Sequence, residues 1–183
     1  MADQDSTSGG NGSAEPANEP QVSVLAQYVK DLSVENPSSP QVFQWQVQPS
    51  LDVQFSINVE KVADDVHEVS LKIEVTARSD NGIHFVVDLT YAGLLGIRNA
   101  PDEATGPFLL IEAPRLLFPF ARQIVAEAVT NTGFPPVLLD PIDFAGAYMQ
   151  QLQAAQQQSE QGEGEGNGNG SGEKAPSESP SEA

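Results

Sequence analysis

The chain contains no cysteine. That excludes disulfide frameworks, thiol nucleophiles and cysteine-ligated zinc. Histidine occurs only at His67 and His84, and eight basic residues face 26 acidic ones. A formal net charge of −18 repels phosphate backbones and anionic membrane surfaces, so neither nucleic acid nor direct membrane insertion is expected. The charge favours basic partners instead. No apolar run reaches the length of a membrane span, and the first residues lack the basic and apolar regions of a signal peptide. The expectation is a cytoplasmic protein.

The ends lack aromatic residues altogether. Residues 1–20 and 159–183 are built mainly from Gly, Ser, Ala, Asn, Gln, Pro and acids, and cannot bury enough apolar surface to offset the entropy of ordering. Both are expected to be disordered, the second as an acidic, Gly-rich tail. One domain over residues 21–158 remains. The tail's "GEGEGNGNGSG" follows no strand and opens no helix, so it reads as a flexible segment rather than a nucleotide loop.

Four segments alternate apolar and polar residues with period two, the mark of strands with one buried face. Val22, Val24, Ala26, Tyr28, Leu32 and Val34 point inward in the first. Leu51, Val53, Phe55, Ile57 and Val59 do so in the second, Val69 to Ala77 in the third, and Ile83, Phe85, Val87, Leu89 and Tyr91 in the fourth. Asp64-Asp65 and Ser79-Asp80-Asn81-Gly82 are turn chemistry, so strands two to four should form an antiparallel meander. Asn36 to Ser50, with three prolines, is too long for a hairpin and should cross over the surface or an edge.

Gly93 to Gly106 reads as irregular. A first helix is expected from near Pro107 and covers Arg115–Thr130. A second is expected with Asp140 as its cap and Pro141 at its first position, carrying Phe144, Tyr148 and Leu152 on one stripe. Phe118, Phe120, Ile124, Val125 and Ala128 make the first helix apolar nearly all round. A helix of that kind is buried on two sides, and in so small a domain the second side is expected to be another subunit.

Reactive chemistry is sparse. The alternation puts both histidines on or near the polar face of the sheet, where they read as solvated. Asp64 and Asp65 sit in a turn and do not form a catalytic pair. No metal, cofactor or enzymatic activity is expected. Two constellations remain. Leu25, Val29, Asp31 and Glu35 on strand one, with His84, Val86 and Asp88 on strand four, would make an acidic docking patch. Phe43, Trp45 and Val47 in the crossover link, with Phe144 and Tyr148, either line a groove for extended peptides or seal the core edge.

Several long words carry a resemblance: "YVKDLSVENPSSPQVF" at Tyr28–Phe43, "VADDVHEV" at Val62–Val69, "LLFPFAR" at Leu116–Arg122 and "GFPPVLLDPIDFAGAYM" at Gly133–Met149. Over about Val24 to Leu152 the chain resembles SecB, the bacterial protein-export chaperone family. The resemblance implies an α+β fold, a four-stranded antiparallel sheet with two C-terminal helices packed on one face. It implies a homotetramer, a dimer of dimers, that holds precursor proteins unfolded and delivers them to the SecA ATPase. It also implies that Asp31, Glu35, Val86 and Asp88 dock SecA's basic, zinc-bearing C-terminal tail. The client groove would use Phe43, Val47, Leu51, Val53, Phe55, Phe85, Phe144 and Tyr148. The family's loop tryptophan falls at Val47, whereas this chain has Trp45 two residues earlier.

Overall fold

Alternating patterning builds a single antiparallel sheet. A computed structural model of the chain describes residues 20–164, so most of the two expected disordered ends lies outside the described residues. The strands are β1 (Gln21–Glu35), β2 (Ser50–Ala63), β3 (Val66–Ser79) and β4 (Gly82–Arg98), in the order β1-β4-β3-β2. Tight turns at Asp64-Asp65 and Asp80-Asn81 join the β2–β3–β4 meander. The link from β1 to β2 passes from one edge of the sheet to the other and contains a short 3-10 turn, Gln41–Gln44, anchored by buried Val42. Two units divide the chain, Met1–Ala145 and Gly146–Ala183; the sheet belongs to the first.

The core lies between one sheet face and α2 (Ala113–Asn131). Val69, Leu71, Ile73 and Val75 of β3 and Val87, Leu89 and Leu95 of β4 are fully or almost fully buried there. β4 is longer than its sequence indicates. Gly93 and Gly96 read as breakers, yet both lie inside the strand, and only 99–101 is irregular before α1 (Asp102–Pro107). Each glycine admits a close neighbour. A Cβ at Gly93 would meet Leu117 of α2 at 2.8 Å, and one at Gly96 would meet Ser23 Oγ at 2.8 Å. The helical path also starts earlier than expected. It runs from α1 through a π-helical turn at Phe108–Glu112 into α2, with Pro107, which has no N–H to donate, at the junction.

Within the single chain α2 is buried on one side. Leu117, Phe118, Ala121, Val125, Ala128 and Val129 recur at three- and four-residue spacing and face the core. Phe118, Val125 and Ala128, expected at a subunit interface, are therefore covered within the chain. Phe120 remains 49 % exposed, and Ile124 is partly buried. Gly133 follows α2 with φ +90°, and its N–H bonds the Thr130 carbonyl at 3.0 Å, a left-handed helix stop. The next helix, α3 (Phe144–Gly164), starts later than the expected Asp140 cap. Leu139 is buried, Pro141 disfavours helical backbone at the residue before it, and the chain has no regular secondary structure up to Asp143. α3 continues six residues into the segment expected to be disordered. No helix among the described residues is long and apolar enough to cross a membrane.

Candidate functional site

Strand register decides which acids share a surface. On the sheet face away from α2, three consecutive rows run across the four strands. The first holds Glu35, Val86, Thr76 and Asp52; the second Ser33, Asp88, Glu74 and Gln54; the third Asp31, Thr90, Lys72 and Ser56. Asp31, Glu35, Val86 and Asp88 thus fall within one patch, its rows about 7 Å apart and its strands about 4.8 Å apart. The expected outward residues do not all join them. β1 carries irregularities at Val24/Ala26 and Val29/Asp31, each shifting the alternation by one residue. Val29 consequently pairs with Tyr91 on the helix face, while Ala26 and Tyr28 turn to the outer face opposite Leu94 and Ala92. Leu25 does reach the outer face and packs over Gly96.

Two ion-pair networks organise this face. Glu68 accepts hydrogen bonds from Tyr28, Lys30 and Ser70. Its carboxyl is held below the usual glutamate range, chiefly by the Lys30 ammonium and then by the Tyr28 phenol. Lys72 bonds Glu74 Oε1 at 2.5 Å and Asp88 Oδ2 at 3.1 Å. Those carboxylates, Glu74 first, raise its ammonium above the usual lysine value. The other oxygen of Asp88, Oδ1, is buried and has no hydrogen-bond partner.

A second surface follows the edges of the helix face. Leu51, Val53 and Phe55 of β2 pair with core residues of β3 but are exposed. Contact between α2 and the sheet is concentrated on β3 and β4. Phe43, 54 % exposed, and Val47 extend the apolar surface into the crossover link. Phe43 stacks on Phe134 with ring centroids 5.6 Å apart, and Trp45 meets His84 edge-on at 4.9 Å. Phe85 and Phe144 support these residues from below: both are buried, Phe85 against Phe134 and Phe144 against Phe55 and Phe118. Tyr148 lies on α3 in the second unit. A cleft of about 590 Å³ brings Phe43 together with Leu32 and Val34 of β1 and Ile124 and Ala128 of α2.

The comparisons with known proteins bear on what these surfaces belong to. The family described as preprotein translocase subunit SecB matches residues 15–155. This chain belongs to the SecB family. It is 54 % identical over 159 residues to the protein-export protein SecB of Sphingopyxis alaskensis, covering 85 % of this chain and 92 % of that one. To the protein-export protein SecB of Zymomonas mobilis it is 56 % identical over 134 residues, 73 % and 82 % of the two chains. Among solved structures it resembles the SecB-like chaperone of Mycobacterium tuberculosis in complex with an antitoxin peptide. The TM-score is 0.55 at 15 % identity, over 66 % of this chain and 90 % of that one, a likeness of fold.

In this SecB-family chain the sequence hides five contributors. His84 reads as a solvated polar-face residue, but the register slips at Ala77/Arg78 and carries it inward. It is 2 % exposed, lies beside Trp45 and Phe134, and its Nε2 is 2.8 Å from Ser79 Oγ. His67 is half-buried, with Nδ1 enclosed. Phe134 is a hub for Phe43, His84 and Phe85. The readable signal was its place just after Gly133, where a helix stop commonly buries an apolar residue. Lys72 and Glu68 left no signal, because Asp88, which pairs with the first, and Tyr28 and Lys30, which pair with the second, lie on other strands. Among the described residues no group of three or more His, Asp or Glu could hold a metal ion.

Proposed function

We propose that the protein is an ATP-independent holdase that keeps precursor proteins unfolded in the cytoplasm and delivers them to SecA. The observation that carries this reading is the separation of two surfaces. Exposed apolar side chains from Phe43 and Val47 to Leu51, Val53 and Phe55 occupy the rim of the helix face. The acids Asp31, Glu35 and Asp88 occupy the opposite face with Val86. A holdase needs apolar surface that binds unfolded chains in preference to folded ones, and many weak contacts suffice. Folding of a client withdraws its apolar segments, so slow folders are retained. The acidic face suits a basic partner tail, which makes SecA docking salt-dependent.

Self-association into a tetramer, a dimer of dimers, fits the same reading. Val22, Val24, Val29, Leu32 and Val34 of edge strand β1 and Leu116 and Phe120 of α2 are exposed apolar residues that a subunit contact would cover. None of these roles calls for a reactive group or a cofactor. Light scattering from an unrelated, chemically unfolded protein tests the holdase. Aggregation suppressed at near-stoichiometric ratio without ATP supports it. Unchanged aggregation would leave either an oligomer without clients or an enzyme.

A further inference from the structure

The three rows of the outer face hold five carboxylates, Asp31, Glu35, Asp52, Glu74 and Asp88, and a single ammonium, Lys72. The basic residues nearest along the strands lie outside these rows. Lys30 is committed to Glu68, and Arg78 pairs with Ser50 and Ile83 in register. Lys72 stands in the third row, opposite Thr90, and reaches diagonally into the second row, where Glu74 and Asp88 face each other across β3 and β4. Two carboxylates at directly opposed positions repel. Lys72 neutralises that repulsion in the isolated chain.

It does so incompletely. Lys72 contacts Asp88 only through Oδ2, while Oδ1 is enclosed and unbonded. An ammonium is a point donor; a guanidinium presents a planar fork that takes both oxygens of a carboxylate. Lys72 is itself 40 % exposed, and so free to swing away. We propose that Lys72 is an internal competitor on the docking face: it occupies the place that a cation of the basic partner takes on Asp88, and docking displaces it. Lys72 keeps Glu74 as its partner when it leaves Asp88, so the exchange replaces one ion pair by another. The result is a weaker, more readily reversed association than five uncompensated carboxylates would give.

This inference rests on the reading of the outer face as the SecA-docking surface, and the experiment separates the two. Full-length protein is titrated with purified SecA by calorimetry at low and high salt, using the natural chain, Glu35→Lys, Lys72→Met, Lys72→Arg, Asp88→Asn and the double variant Lys72→Met/Asp88→Asn. Glu35→Lys tests only the docking reading: SecA affinity equal to that of the natural chain would show that the outer face is not the docking surface. With Glu35→Lys weakened, Lys72→Met is expected to bind SecA about three- to ten-fold more tightly at low salt, the gain shrinking at high salt. Lys72→Arg keeps the charge and fits Asp88 with a fork, so it is expected to bind SecA less tightly than the natural chain. In the Asp88→Asn background the gain from Lys72→Met is expected to fall below about two-fold, because the contested carboxylate is gone. Unchanged or weakened binding by Lys72→Met overturns the proposal. So does a gain that persists undiminished with Asp88→Asn, since Lys72 would then act as one more surface charge.

Discussion

Tyr28 of β1 reaches over Ala92 of β4 to donate a hydrogen bond to Glu68 of β3. The contact spans two strand spacings, and it depends on the β1 irregularity at Val24/Ala26 that turns Tyr28 to the outer face. Lys30, in the second irregularity, joins the same carboxylate. Glu68 thereby pins edge strand β1 at the point from which Asp31 projects.

Removing that pin is expected to destabilise the fold. Glu68→Ala should cost about 1.5–3 kcal/mol in denaturant unfolding, the usual range for hydrogen bonds to a charged group. The pH dependence has a definite sign. The folded-state pKa of Glu68 lies below its ordinary value, so its stabilisation is fully present above that ordinary value and is lost as pH falls through it towards the folded value. The difference in Tm between the natural chain and Glu68→Gln should therefore narrow as pH is lowered from about 6 to about 3. A constant difference over that range would mean that Glu68 does not act through its charge.

The two sides of α2 are expected to respond differently. Val125 is 0 % exposed, so Val125→Asp places a charge in the core and should cost about 4 kcal/mol or more, seen as loss of the cooperative thermal transition. Phe120 is half exposed, so Phe120→Glu should preserve the far-UV spectrum and reduce the sedimenting mass below four times the 19.5 kDa chain mass. Undiminished mass in folded Phe120→Glu would remove this side of α2 from the subunit contact.

The apolar rim separates into lining and support. Phe43→Ser, Leu51→Ser and Val53→Ser alter exposed side chains. Combined, they should weaken binding of an unfolded client several-fold, at about 1 kcal/mol or less per contact, with little change in Tm. Phe144→Ala empties a fully packed position and should cost about 3–5 kcal/mol in stability instead. Fluorescence anisotropy of a labelled unfolded client, paired with thermal melts, distinguishes the two effects.

Much of the fold was legible because one sheet face is buried. From Val69 to Ala77 and from Phe85 to Tyr91, every second residue had to be apolar, and the meander follows from that and from two polar turns. β1 was less legible. An edge strand tolerates irregularities, and two of them exchanged the faces of Tyr28 and Val29 without a mark in its composition. Gly93 and Gly96 misled because a glycine that breaks a strand and one that admits a neighbour look alike in sequence. His84 misled for a related reason, since a single slip in β4 carried it inward. The shared face of Asp31, Glu35, Val86 and Asp88, proposed here to dock SecA, was readable from alternation. Lys72 was not, because pairing with Asp88 depends on a diagonal across strands that sequence spacing does not encode.

The central claim is that one chain presents two separate binding faces, apolar for clients and acidic for SecA. The most direct test is sedimentation velocity of Glu35→Lys mixed with a labelled unfolded client and SecA. The account predicts that the client co-sediments with the variant as it does with the natural chain, while SecA does not. Loss of both associations, or of neither, would contradict it.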